Sequence, residues 1–117
     1  MIRKMADMDT EVRENMRGGA GSVTFRHMFK KEEFTAPVRL CSVLTIPPGS
    51  GIGSHEHLTE DEIYIVTQGA GMLDDGKTKT RVAKGDTILT GNGASHAIHN
   101  DGQEALELMA IIICYPE

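Results

Sequence analysis

Beyond residue 21, apolar and polar positions alternate with a period of two, and turn residues interrupt the alternation every few positions. Residues 22–29 (SVTFRHMF) place Val23, Phe25, His27 and Phe29 on one face of a strand. Residues 39–46 (RLCSVLTI) form a second strand, stopped by Pro47, Pro48 and Gly49. Further strand signals follow at 62–67, 71–73, 77–82, 87–89, 97–99 and 106–114. Turn signals at 68–69 (QG), 74–76 (DDG), 84–86 (KGD), 91–93 (GNG) and 100–102 (NDG) separate them, and Asp75-Gly76 is a two-residue hairpin signal. Short strands with frequent turns and no intervening helices predict an all-β sandwich or barrel.

The two ends of the chain depart from this pattern. Residues 1–14 are expected to hold a frayed helical turn, with Glu11, Val12, Arg13 and Glu14 after Asp9-Thr10. Residues 16–21 (MRGGAG) then break regular structure. No Lys-Ser/Thr follows these glycines, so they are a flexible bend and not a phosphate cradle. The domain reading is an N-terminal segment over 1–21, available to pack on a partner subunit, and a single barrel over 22–117. In the last strand, Leu106, Leu108, Ala110 and Ile112 occupy one face and Met109, Ile111, Ile113 and Tyr115 the other. Apolar residues on both faces call for cover on both. A second subunit or the N-terminal segment would supply the outer cover, and a homodimer is expected.

Composition narrows the function classes. A chain of 117 residues with 39% apolar and 25% charged residues makes one globular domain. A net charge of −5 argues against nucleic acid and anionic membrane surfaces as partners. No apolar run approaches the roughly 18 residues needed to cross a bilayer. The polar, acid-bearing N-terminus is unlike a secretory signal, so a cytoplasmic location is expected. Cys41 and Cys114 lie in apolar runs and read as buried reduced thiols. Lys77, Lys79 and Arg81 alternate with threonines and read as a solvated strand face.

The chemistry concentrates in residues 49–69 (GSGIGSHEHLTEDEIYIVTQG). His55 and His57 are two apart, so an extended backbone presents both imidazoles to one side. Glu62 follows after four residues and opens the next strand, where a short turn can return its carboxylate to the same point. Two nitrogens and one oxygen suit a borderline first-row divalent metal. His96, at a strand start after the 91–93 turn, is the best candidate for a fourth ligand. His99, three residues along the strand, falls on the opposite face, and His27 is read as structural. Period two also places Tyr64 and Val66 with Glu62, which makes Tyr64 a candidate hydrogen-bond donor or acid beside the metal. Ile52, Ile98, Met72 and Met109 are candidates for an apolar pocket wall.

Gly49, His55, His57, Glu62 and Gly69 have the spacing of the first cupin motif, and Gly85, Gly93, His96 and Asn100 that of the second. The chain therefore resembles the cupin superfamily, with Gly91 replacing the usual proline as the one departure. The resemblance implies a six- to eight-stranded jelly-roll barrel (a double-stranded β-helix). It implies His55, His57, Glu62 and His96 around one divalent transition metal: iron, manganese, nickel, zinc, copper or cobalt. An octahedral ion held by that set would keep two positions for water, dioxygen or a bidentate substrate. The expected function is a mononuclear metal-dependent enzyme acting on a small oxygen-rich molecule: a sugar acid, keto acid, diketone or phenol. Dioxygenase, isomerase, lyase and decarboxylase chemistries are all open to it. The alternative is a non-catalytic ligand-binding or sensor module. In oxalate decarboxylases a substrate-binding arginine lies three residues before the first ligand histidine. Here that place is Ile52, and there is no room for their second barrel.

Overall fold

A computed structural model describes all of residues 1–117. Its ten strands are β1 (Thr10–Glu14), β2 (Ser22–His27), β3 (Val38–Ile46), β4 (Gly51–Glu56), β5 (Glu60–Gln68), β6 (Ala70–Asp74), β7 (Lys79–Ala83), β8 (Thr87–Thr90), β9 (Ser95–His99) and β10 (Leu106–Cys114). They form two antiparallel sheets, one of six strands in the order β1-β2-β3-β10-β5-β8 and one of four in the order β4-β9-β6-β7. The core lies between them. In β10, Leu106, Leu108, Ala110 and Ile112 are buried, and in β5 Glu62, Tyr64 and Val66. Period two thus decides which side chains enter the barrel.

The outer row of β10 is only partly covered, with Ile113 and Tyr115 exposed. Of the two covers expected for it, the N-terminal segment does not serve: β1 extends the sheet edge beyond β2. Residues 10–14 are a strand where a helical turn was expected. The register from Thr10↔Arg26 to Glu14↔Ser22 supplies a partner that local propensity does not foresee. His27 helps fix it, with Nδ1 2.6 Å from Ser42 Oγ and Nε2 2.7 Å from Glu11 Oε1. Ser42 is fully buried, so this hydroxyl–imidazole–carboxylate chain holds strands together and offers no accessible nucleophile.

The motif glycines have a backbone reason. Gly49, Gly69, Gly85 and Gly93 all have φ between 79° and 94°, where a side chain is strained. Asn100 is completely buried, and its amide donates to the carbonyls of Ile46 and Glu104, each at 2.8 Å. It latches the turn that follows β9. At Gly91 a Cβ would run into the Asp61 carboxylate, which accepts the Tyr115 hydroxyl at 2.6 Å.

Candidate metal centre

β4 and β9 pair antiparallel with His55 opposite His96, which brings the second motif's histidine against the first. A turn of three residues separates β4 from β5, and Glu62 points inward from β5. As a result His55, His57, Glu62 and His96 offer ligand atoms within 4.8 Å of one another. His57, Glu62 and His96 are buried and His55 is half-buried. The group can hold a metal ion.

Each imidazole is oriented by a partner on Nδ1. His55 Nδ1–H donates to the Gly53 carbonyl at 2.8 Å, and His57 Nδ1–H to Glu60 Oε2 at 2.6 Å. His96 Nδ1 lies 2.8 Å from Thr90 Oγ1, which accepts its proton in the same tautomer. All three Nε2 atoms then carry lone pairs and converge: His57 to His96 at 3.0 Å, His96 to His55 at 3.1 Å. Glu62 Oε1 is 3.0 Å from His57 Nε2 and 2.9 Å from His96 Nε2. It is buried with no hydrogen-bond donor. Converging lone pairs beside a donorless carboxylate oxygen repel one another, and a cation among them removes the conflict. The donor set fits a divalent transition metal on this chain's own geometry.

Electrostatics prepare the same arrangement. Burial holds the His55 imidazole below its ordinary pKa, with the neighbouring His96 and His57 adding to the effect, so its neutral form is favoured. The Arg39 fork, followed by His57, holds Glu60 at a pKa of about 2. Arg39 Nε and Nη2 each reach Glu60 at 2.7 Å, so a chain Arg39–Glu60–His57 ties the surface to the site. Tyr64 is buried, and its ring stacks on His96 with centroids 4.8 Å apart and planes 13° from parallel. Burial, then the Glu62 carboxylate, pushes its phenol well above the usual range, so it remains protonated.

A cavity of about 130 Å³ opens onto this group, walled by Phe25, Leu44, Ile52, Tyr64 and Ile112, with Arg13, Arg17 and Arg39 at the rim. A larger concavity of about 390 Å³ lies on the outside of the four-stranded sheet and includes Met72 and His99, but none of the four converging residues. Ile52 therefore walls the cavity as expected, while Ile98 packs in the core. Met72 and Met109 do not wall it: they point outward from β6 and β10, because inward places alternate with theirs. Sequence reasoning missed Glu60, Thr90 and the three arginines. Glu60 stood in the TEDE turn beside Glu62, whereas nothing local marked the arginines.

The family model for the cupin domain matches residues 42–112, and the chain belongs to that family. It is 37% identical over 113 residues to an oxalate-binding protein of Thermotoga maritima, covering 97% of this chain and 93% of that one. A solved structure from Thermotoga maritima, described as a predicted oxalate decarboxylase, superposes with a TM-score of 0.92 at 37% identity, over 97% of this chain and 99% of that one. The cupin domain of Schizosaccharomyces pombe Cnp3 has a TM-score of 0.70 at 21% identity, covering 79% of this chain and 61% of that one, and shares the fold.

Proposed function

We propose that this cupin holds one divalent transition metal on His55, His57, Glu62 and His96 and uses it to capture a small chelating acid of the oxalate or 2-keto acid class. The observation that carries this reading is the convergence of three imidazole lone pairs on a donorless, buried Glu62 oxygen. Three imidazole nitrogens and one carboxylate oxygen would hold such an ion, and a six-coordinate ion on that set would leave two places for a bidentate ligand.

Size and charge narrow the ligand further. The cavity of about 130 Å³ is well below the roughly 300–1,000 Å³ of sites for drug-sized ligands. Its rim is cationic on a chain of net charge −5. The Thermotoga maritima relative named for oxalate binding points the same way. When bound, the metal supplies Lewis-acid polarisation of the ligand's oxygens. The chain's own residues exclude water with Ile52, Leu44 and Ile112, fix the imidazoles through Gly53, Glu60 and Thr90, and keep a proton on Tyr64.

Tyr64 favours a second reading, that of an enzyme. Its phenol lines the cavity, its ring stacks on His96, and it stays protonated, so it offers a bound ligand a hydrogen-bond donor. Elemental analysis of untagged protein, with a His55→Ala/His57→Ala control, tests the metal. Calorimetry of the loaded protein with oxalate and pyruvate tests the ligand, and product analysis of the same samples separates capture from turnover. About one metal per chain, lost in the control, together with binding of either acid supports the reading. No metal after reconstitution, or no binding by loaded protein, refutes it.

We also propose a homodimer through the outer face of the six-stranded sheet. Cys41, Ile111, Ile63 and Leu89 are consecutive cross-strand partners there, with Val43, Met109 and Ile65 in the next row. Leu89 is 71% exposed in the single chain. Two unpaired thiols are compatible with the reducing cytoplasm as its location.

A further inference from the structure

We propose that Arg17 is the residue that selects a dianionic acid over a monoanionic one. This inference rests on the metal-centre reading above. The three arginines at the rim differ in how far their charge is committed. Arg39 forks onto Glu60. Arg13 bonds Glu11 Oε1 at 2.9 Å, and its guanidinium carbon stands 4.1 Å from the centre of the Phe25 ring. Arg17 also lines the cavity and is exposed, yet it pairs with no carboxylate of the chain. Its charge is the one left for a ligand.

The backbone places that charge deliberately. Arg17 has φ 54° and ψ 29°, a left-handed conformation in which its Cβ crowds the following carbonyl oxygen. Asn15, two residues earlier, is left-handed as well, at φ 48°. Surrounding contacts hold the turn in place. Gly51 N–H donates to the Ala20 carbonyl and Asn15 N–H to the Gly21 carbonyl, each at 2.9 Å, and Asn15 Nδ2 donates to the Gly19 carbonyl at 3.2 Å. A Cβ on Gly53 would run into the Arg17 carbonyl oxygen, and one on Gly19 into the Gly51 carbonyl oxygen. The turn therefore sits directly on β4, the strand that carries His55. Strain retained beside a cavity, where the surrounding structure over-determines it, is a mark of a functional position.

The ligand's chemistry supplies the selectivity. A flat dicarboxylate that chelates through one oxygen of each carboxylate turns its other two oxygens outward, side by side. A guanidinium fork matches that edge with two parallel hydrogen bonds. A 2-keto monoacid also chelates, through its keto oxygen and one carboxylate oxygen, but presents only one outward oxygen beside a carbon substituent. Arg17 then recognises the first and gains little from the second.

The test uses the full chain loaded with Mn²⁺, with calorimetric titration of oxalate and of pyruvate into wild type, Arg17→Ala and Arg17→Lys. Elemental analysis and thermal melts accompany each protein. Arg17→Ala should bind oxalate about 10- to 100-fold more weakly and pyruvate within about 3-fold of wild type, at unchanged metal content. Arg17→Lys should recover part of the oxalate affinity as a point charge without the fork. Equal losses for both acids, or no loss for oxalate, overturn the role of Arg17 while leaving the metal centre standing. A loaded wild type that binds neither acid overturns the metal-centre reading and this inference with it.

Discussion

Replacing Glu60 by glutamine probes how the site is held without touching any of its four converging residues. The Glu60 carboxylate receives three short hydrogen bonds, two from Arg39 at 2.7 Å and one from His57 at 2.6 Å. Glutamine keeps the volume but has one acceptor oxygen and no charge. If that oxygen serves His57, the amide NH2 faces the Arg39 guanidinium; if it serves Arg39, the buried His57 Nδ1–H loses its partner. The two halves of the chain have unequal value. Arg39 is 43% exposed, so its ion pair is solvent-screened and worth at most about 1 kcal/mol. The His57 side chain is only 3% exposed, and a charge-assisted bond there contributes about 1.5–3 kcal/mol.

Glu60→Gln should therefore destabilise the metal-free protein by about 1–2 kcal/mol in urea. It should also weaken metal binding about 10- to 100-fold in a competition titration against a chromophoric chelator. Arg39→Ala, which leaves the Glu60–His57 bond intact, should lose less than about 5-fold. A Glu60→Gln variant that folds normally and matches wild-type metal affinity within about 2-fold would refute the view that Glu60 orients His57. Equal losses in Glu60→Gln and Arg39→Ala would place the effect in the surface pair instead.

Two further outcomes test other parts of the molecule. Glu33 accepts from the Arg3 fork at 2.6 Å on each oxygen, which with the Lys30 backbone N–H holds its carboxyl at about 2, below its ordinary 4.5. A depressed folded-state pKa means that the tie is fully present above pH 4.5 and is lost as pH falls through about 2. NMR titration of the Glu33 side-chain carbonyl should show that midpoint and a return toward 4.5 in Arg3→Ala; a wild-type midpoint near 4.5 would contradict the fork. At the outer sheet face, Ile111→Lys should raise the dimer dissociation constant about 100-fold, on the ~3 kcal/mol cost of burying an unpaired charge. Light scattering would show a monomer at concentrations where wild type is dimeric, and a wild type that is monomeric throughout would end the dimer proposal.

The fold was legible because a two-sided sheet writes its register into the sequence. β10 appears with its observed bounds, and the inward rows of β5 and β10 follow from period two. The quartet was legible for a related reason: His55 lies in β4 and His57 one residue past its end, and the pairing of β4 with β9 sets His96 opposite His55. What was not legible depends on distant partners. The sequence around residues 10–14 suits a helical turn until β2 offers it an edge, and β4, rich in glycine, carries little strand propensity of its own. Arg17 approaches the site only because that N-terminal hairpin folds back onto β4. No local pattern encodes a contact across some forty residues.

This separation bears on how the site acquires its charge. In oxalate decarboxylases the substrate-binding arginine lies three residues before the first ligand histidine. Here that place is Ile52, 2% exposed and part of the apolar cavity wall. A guanidinium at that place would enter an apolar core and would need its own counter-ion there. A guanidinium delivered from a turn at the rim needs neither, since it stays hydrated until a ligand arrives. Gly53 on β4 and Gly19 on the turn are what such delivery requires: a Cβ on Gly53 would meet the Arg17 carbonyl oxygen and one on Gly19 the Gly51 carbonyl oxygen, so only bare backbone lets residues 17–19 lie against the strand. The apolar wall at Ile52 and the strained turn at Arg17 are on this view two halves of one arrangement, in which the barrel supplies the metal ligands and the N-terminal hairpin supplies the anion selectivity.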